Sequence, residues 1–156
     1  MENQLTEPRW THVALPVSDL DASIEFYQTV TPLVLVTKHD DENGRGAWLS
    51  NKGQVDSPFV LVLAEFIPEV AARFNMTPGK PVPTLAPFAH IGIELPDRAD
   101  VDTVAAKARA LGRLQWEPTE MAAHIGYICA VTDPDGNTIE FSHNQKVFSK
   151  IRELWG

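Results

Sequence analysis

Thr11-His12-Val13-Ala14-Leu15-Pro16 is a stretch that returns, at an offset of 78 residues, as Ala89-His90-Ile91-Gly92-Ile93-Glu94. In both stretches large apolar residues occupy every second position, as in a strand with one buried face. The two histidines fall in register. Self-similarity at a fixed offset indicates an internal repeat, so we interpret the chain as two copies of one structural module.

Each of these strands is followed by a helix signal. The first helix begins at the capping-box-like run Ser18-Asp19-Leu20-Asp21 and continues through Tyr27. The second has apolar residues at helical spacing from Val101 to Leu111, and Gly112 follows where a C-terminal glycine cap is expected.

Three short apolar segments follow each helix and predict the strands of an antiparallel meander. They are residues 33–36, 46–49 and 59–64 in the first half, and 115–116, 127–131 and 138–142 in the second. The run Asp133-Pro134-Asp135-Gly136-Asn137 has strong turn chemistry. The sequence therefore predicts an α+β fold of two βαβββ modules, whose strands form a cup-shaped antiparallel sheet.

The predicted boundaries divide a single domain of residues 1–156 into four parts. Module 1 covers about residues 8–65, and module 2 covers about residues 88–144. Residues 66–87, which include Pro68, Pro78, Pro81 and Pro83, form a linker, and residues 145–156 form an amphipathic C-terminal helix. The open strand edges and the apolar stripe of that helix predict a homodimer.

Composition narrows the partners that this chain is expected to have. Its net charge is −8, and its 13 Lys and Arg residues are scattered, so a nucleic-acid partner is not expected. No apolar run approaches the roughly 20 residues that cross a bilayer, and residues 1–4 lack the features of a signal peptide. We therefore expect a cytoplasmic protein without a membrane partner. The single cysteine, Cys129, lies in an apolar run and is expected to be a buried structural thiol.

Alternation along the strands places three polar side chains on the faces that the helices leave uncovered. Glu140 lies between apolar Ile139 and Phe141, and His12 and His90 each precede an apolar, core-facing residue. Taken singly, such residues are more often structural or solvated. Together, two histidines at equivalent repeat positions and one glutamate suit a divalent ion such as Fe²⁺, Mn²⁺, Zn²⁺, Ni²⁺ or Co²⁺, with about three positions open.

The runs at residues 12–27 and 133–141 resemble the vicinal oxygen chelate superfamily, and the resemblance extends from Trp10 to about His143. The superfamily includes glyoxalase I, methylmalonyl-CoA epimerase, fosfomycin-resistance transferases, bleomycin-resistance proteins and type I extradiol dioxygenases. The resemblance implies metal ligands on the first and last strands of each module, which correspond to His12, His90 and Glu140. It also implies a small substrate that chelates the ion through two neighbouring oxygens.

The sequence departs from the superfamily at the fourth ligand position. The offset of 78 pairs Glu140 with Val62, which cannot bind a metal or act as a base, so glyoxalase I chemistry is not expected. The tyrosine of the extradiol pattern is replaced by Ala130, and the cations of the fosfomycin enzymes are missing. No subfamily matches fully.

His124 and Tyr127 are the candidates for proton transfer, because both lie near the strand that precedes the turn at Asp133. The alternatives are a loop histidine and a core aromatic. Core packing is the favoured prediction for Trp48 and Trp116, and a place in the pocket wall is the alternative. His39 is assigned to a charged loop and left outside the site.

The leading hypothesis is a metalloenzyme, either a dioxygenase, a lyase or isomerase, or a transferase, in which the ion stabilises negative charge on the substrate. A metal-free protein that sequesters a ligand, of the bleomycin-resistance type, is the alternative. A structural protein with a vestigial cup is a third. Whether the cup is formed within one chain or by two swapped chains stays open.

Overall fold

A computed structural model describes residues 6–56, 58–77, 81–85 and 87–156. Residues 1–4 and Pro78, which entered the predictions above, lie outside the described residues. Along the described chain the elements are β1 (His12–Pro16), α1 (Leu20–Val30), β2 (Val34–Asp41), β3 (Gly44–Ser50), β4 (Val60–Phe66), α2 (Pro68–Arg73), β5 (Ile91–Glu94), α3 (Arg98–Ala110), β6 (Leu114–Glu120), β7 (Tyr127–Thr132), β8 (Thr138–His143) and α4 (Val147–Trp155). None of the described helices is long and apolar enough to cross a membrane.

The strands form two four-stranded sheets with the orders β1-β4-β3-β2 and β5-β8-β7-β6. The predicted α+β fold of two βαβββ modules is confirmed. The predicted antiparallel meander is confirmed in both modules, but each sheet is mixed, because β1 pairs with β4 and β5 pairs with β8 in parallel. The helix after each first strand returns the chain to the end where that strand began, so the last strand of the meander runs parallel to it.

The register of the two sheets confirms the repeat offset. Ala14 pairs with Val62 in module 1, and Gly92 pairs with Glu140 in module 2. Both pairs are related by the offset of 78 that aligns the two histidines. Val62 therefore occupies in module 1 the position that Glu140 occupies in module 2.

Each sheet is covered by a helix on one side, which we call the helix face; the other side is the open face. In module 1, α1 buries Leu20, Ile24 and Tyr27 against strand residues such as Leu61 and Leu63. In module 2, α3 buries four residues against Cys129, Val131, Ile139 and Phe141; these four are Val101, Val104, Ala105 and Ala108. Burial raises the pKa of the Cys129 thiol to about 12, in keeping with the expected structural cysteine.

The two modules share one buried core that continues from one helix face to the other. The hydroxyl of Tyr27 on α1 donates to Oδ2 of Asp133 in module 2 at 2.8 Å, and both residues are fully buried. Asp133 also accepts from the backbone and the side chain of Asn137. Burial, and then the neighbouring Asp133 charge, raise the pKa of Tyr27, so its hydroxyl stays protonated. This bond fixes one module against the other.

We predict that Tyr27→Phe lowers the free energy of unfolding by about 1 to 3 kcal/mol, because Asp133 loses a buried donor. Tyr127→Phe is the matched control, since Tyr127 donates to Asp102, an exposed carboxylate that water can rehydrate. Its cost should be clearly smaller in urea denaturation. Equal losses in the two variants would contradict a special role for the bond between the modules.

Candidate metal site

His90 and Glu140 meet on the open face of module 2. His90 immediately precedes β5, and Glu140 lies on β8 beside Gly92. The distance from Nε2 of His90 to Oε2 of Glu140 is 3.6 Å. The Glu140 side chain is only 12% exposed, so it is largely withdrawn from bulk water. The structure therefore brings together two of the three predicted metal ligands.

Backbone contacts fix the tautomer of His90. Its Nδ1 lies 2.8 Å from the carbonyl oxygen of Phe88, and a carbonyl can only accept, so Nδ1 donates. In the neutral imidazole the lone pair then lies on Nε2, which faces the Glu140 carboxylate. Two electron-rich atoms thus face each other, and either a proton on Nε2 or a metal ion between the two atoms would relieve their repulsion. The same hydrogen bond from the second ring nitrogen orients histidine ligands in metal sites.

Glu140 is held by a second contact from the chain that follows β8. The side-chain amide of Gln145 donates to Oε1 of Glu140 at 3.2 Å. Asn144, with φ of 62°, turns the chain so that Gln145 returns to the carboxylate. One oxygen of Glu140 is therefore fixed by Gln145, while the other faces His90.

These donors fit a divalent first-row ion. Ions of this kind bind imidazole nitrogen and carboxylate oxygen at about 2.0–2.2 Å, so donors 3.6 Å apart lie within the span of one ion. Imidazole and carboxylate are also common partners of Zn²⁺, Fe²⁺, Mn²⁺, Ni²⁺ and Co²⁺. His90 and Glu140 therefore form part of a site that such an ion fits.

His12 lies apart from this pair. It opens β1 on the open face of module 1, is exposed, and its Nδ1 contacts Oγ1 of Thr11 at 2.8 Å. In the described part of the chain no three His, Cys, Asp or Glu side chains lie close enough together to hold a metal ion. A single chain therefore supplies two of the predicted ligands at one place and the third at another.

A cavity of about 370 Å³ surrounds His90 and Glu140; we call it the His90 cavity. Its lining is mainly apolar and comes from module 2 and the residues that flank it. The lining residues are Pro87, Phe88, His90, Gln115, Trp116, Met121, Ile125, Ile128, Ala130, Thr138, Glu140 and Gln145. Among the described residues that line it, none is Lys, Arg or Asp, and none belongs to module 1. The pair thus lies in a largely uncharged environment.

The open face of module 1 carries Val62 and Trp48, which are paired across β4 and β3. Trp48 is 44% exposed, and Trp116 on the corresponding face of module 2 is 53% exposed. Core packing is therefore wrong for both tryptophans. Trp116 lines the His90 cavity, as its alternative assignment to the pocket wall predicts.

The two candidates for proton transfer lie in different environments. Tyr127 pairs with His143, so it lies on the helix face, opposite to Glu140, and its hydroxyl donates to Asp102 at 2.6 Å. That hydrogen bond, followed by burial, raises the pKa of Tyr127. His124 is exposed in the loop between β6 and β7, whose neighbours Met121 and Ile125 line the cavity. The position of Tyr127 therefore gives no support to a role in proton transfer, whereas His124 lies in a loop beside the site.

His39 was assigned wrongly to a loop. It lies on β2 and pairs with Gly46, where an added Cβ would clash with the imidazole ring. With Phe66 and Arg73 it lines a separate cavity of about 420 Å³ in module 1. Gly46, which leaves room for the His39 ring on the neighbouring strand, is the sequence feature that could have indicated this contact. Gln145 was also missed, because its contact depends on the turn at Asn144.

Comparison with known proteins identifies the family. The model of the Glyoxalase/Bleomycin resistance protein/Dioxygenase superfamily matches residues 9–141. The chain belongs to this superfamily. It is 34% identical over 140 residues to the uncharacterized protein PA2024 of Pseudomonas aeruginosa, covering 88% of this chain and 90% of that protein.

Two further proteins resemble the chain. It is 32% identical over 135 residues to the lactoylglutathione lyase GLX1 of Arabidopsis thaliana, covering 85% of this chain and 43% of that protein. The chain therefore spans less than half of that relative. The crystal structure of TnmS3, an antibiotic binding protein from Streptomyces sp. CB03234, covers 90% of this chain and 98% of its own, with a TM-score of 0.63 at 22% identity. At that identity the likeness concerns the fold alone.

We predict that Val62→Glu and Leu63→Glu separate the two faces of β4. Val62 is half-buried on the open face, where a carboxylate can still reach water, so its loss of stability should be clearly smaller than that at Leu63. Leu63 is fully buried on the helix face, and the same substitution should cost at least about 3 kcal/mol or unfold the chain. Thermal melts of the two variants measure the difference. A severe loss at Val62 would contradict the assignment of the faces.

Proposed function

We propose that this chain is a divalent-metal-dependent enzyme of the superfamily that acts on a small substrate bound through two neighbouring oxygen atoms. His90 and Glu140 of one copy, together with His12 of a second copy, hold the ion. The observation that carries this proposal is the contact between Nε2 of His90 and Oε2 of Glu140, with Nδ1 of His90 occupied by a backbone carbonyl.

The assignment of His12 to a second copy follows from the shared core. The two modules of one chain are joined through buried contacts such as the hydrogen bond between Tyr27 and Asp133. In this arrangement, none of the described residues of module 1 lines the His90 cavity of the same chain. The open faces expose Trp48 and Trp116, and α4 exposes Phe148, Leu154 and Trp155. A homodimer that places the open face of one module 1 over the His90 cavity of its partner would cover apolar surface and supply the third ligand.

The chain's own residues then have separate tasks. Gln145 holds the Glu140 carboxylate in place, the apolar wall excludes water, and the exposed loop histidine His124 is the proposed group for proton transfer. The bound ion would stabilise negative charge as it develops on the chelated oxygens. Because Val62 offers no carboxylate, a reaction that requires a second glutamate as its base is not part of this proposal.

We predict that His12→Ala, His90→Ala and Glu140→Ala each weaken Mn²⁺ binding by more than about 100-fold. The reason is that replacing a residue that only hydrogen-bonds to a metal ligand already lowers metal affinity by about 10–100-fold. Gln145→Ala should weaken it by about 10-fold. Glu117→Ala is the control, because Glu117 pairs with Arg109 of α3, does not line the His90 cavity, and should leave the affinity unchanged. Calorimetric titration with Mn²⁺, checked by circular dichroism, measures these effects. Wild-type affinity in a folded His90→Ala or Glu140→Ala variant would overturn the ligand set.

A mixture of two inactive variants tests the shared site. Homodimers of His12→Ala and of Glu140→Ala each lack one ligand at every site. A mixed dimer contains one intact site, with His12 from the Glu140→Ala chain and His90 and Glu140 from the His12→Ala chain. We predict that refolding the two variants together restores Mn²⁺ binding, up to one ion per mixed dimer. No recovery in verified mixed dimers would place all three ligands within one chain.

A metal-free protein that sequesters a ligand is the second candidate function. The apolar lining of the His90 cavity favours it, because such a wall binds a ligand without chemistry. Metal analysis of protein purified without chelators or an affinity tag separates the two candidates. Stoichiometric metal supports the enzyme, and its absence, together with weak Mn²⁺ binding, supports sequestration.

A further inference from the structure

We infer that the His90 cavity takes an uncharged aromatic ring system that presents an acceptor oxygen, and that it discriminates against anionic ligands. The inference rests on the proposed function only for the ligand's contact with a metal ion. The aromatic preference follows from the wall of the cavity and holds equally for an enzyme or a sequestering protein.

The distribution of charge disfavours an anionic ligand. The described lining holds no Lys or Arg, and its one carboxylate, Glu140, repels negative charge. The two arginines of α3 are engaged elsewhere: Arg98 pairs with Glu120, and Arg109 with Glu117. A carboxylate or phosphate that entered the cavity would lose hydration without gaining a counter-charge. The net charge of −8 adds to this repulsion at long range.

The wall of the cavity suits a flat ring. The Trp116 indole is 53% exposed and the Phe88 ring is 83% exposed, so both present unsatisfied aromatic surface. Met121 and Ile125 complete the wall, and a thioether makes favourable contacts with aromatic edges. A volume of about 370 Å³ lies near the lower end of the usual range for small-molecule pockets, which limits the ligand to a few fused rings.

Gln115 provides a polar contact for the ligand. The Thr138 hydroxyl donates to Oε1 of Gln115 at 2.8 Å, which satisfies the amide oxygen and leaves the amide N–H groups as donors. Gln115 lines the same cavity as His90 and Glu140. A carbonyl, hydroxyl or ether oxygen on the ring system would accept from this amide. An oxygen of a neutral ligand is therefore recognised without any cationic side chain.

Calorimetric titration of the full-length protein with three naphthalene probes tests the inference. 2,3-Dihydroxynaphthalene and 2-naphthol are neutral at pH 7, and 3-hydroxy-2-naphthoate is a nearly isosteric anion. In chelator-treated protein we expect the two neutral probes to bind about equally, and at least about 10-fold more tightly than the anion. Trp116→Ala should weaken the neutral probes about 10-fold, and Trp116→Phe should restore most of this loss.

Two further variants sharpen the result. Glu117→Ala removes an exposed side chain that pairs with Arg109 and does not line the cavity, and it should leave the affinity for all three probes unchanged. Met121→Arg places a cation in the wall and should shift the preference toward the naphthoate. Equal affinity for the anion and the neutral probes, no detectable binding of any probe, or no effect of Trp116→Ala would overturn the inference.

Loading with Mn²⁺ separates this inference from the proposed function. If the metal site is as proposed, Mn²⁺ should increase the affinity for 2,3-dihydroxynaphthalene, which has two neighbouring oxygens, more than the affinity for 2-naphthol, which has one. If Mn²⁺ produces no such difference while the neutral preference persists in metal-free protein, the metal proposal fails and the aromatic inference stands. If Mn²⁺ produces this difference but the metal-free protein shows no preference for the neutral probes, the aromatic inference fails and the metal proposal stands.

Discussion

The structure depends on one constraint: each four-stranded sheet is covered by a helix on one face only, while successive strand residues alternate between the two faces. The helix faces bury large apolar residues in a core that both modules share, and the buried bond between Tyr27 and Asp133 joins them. The remaining strand side chains point to the open faces, and these include His12, His90 and Glu140. These open faces, with their exposed tryptophans, are the surfaces where we propose that a small molecule and a second copy of the chain bind.

Much of this arrangement could be predicted from the sequence because it is local. The offset of 78 aligns strand with strand, and the observed pairs Ala14 with Val62 and Gly92 with Glu140 are related by this same offset. Prediction failed where the local pattern was weak. The second half of β2 is polar and exposed, so no apolar pattern extends the predicted strand beyond residue 36, and His39 was assigned to a loop. The parallel pairing of the outer strands also follows from the path of the helix rather than from any short pattern.

The relation between distant elements was harder to predict. Tyr127 and Glu140 lie on neighbouring strands, but their relative position depends on the register set by the turn at Asp133. That register pairs Ala130 with Glu140 and Tyr127 with His143, so the tyrosine lies on the other face. The separation of His12 from the His90 cavity is a larger case of the same problem. Alternation assigns each side chain to a face but does not determine which faces of two modules meet, because contacts between helix faces decide that.

Val62 and the apolar cavity become parts of one electrostatic arrangement if the proposed site is correct. One divalent ion with a single carboxylate ligand keeps one net positive charge, whereas a second carboxylate at position 62 would neutralise it. The surrounding wall is apolar, so the charge of a bound ion would be weakly screened and would favour ionisation of a neighbouring hydroxyl. A neutral ring system would pass Trp116 at little desolvation cost. An anion must be desolvated before it gains that attraction, so the same wall that admits the neutral ligand delays the charged one.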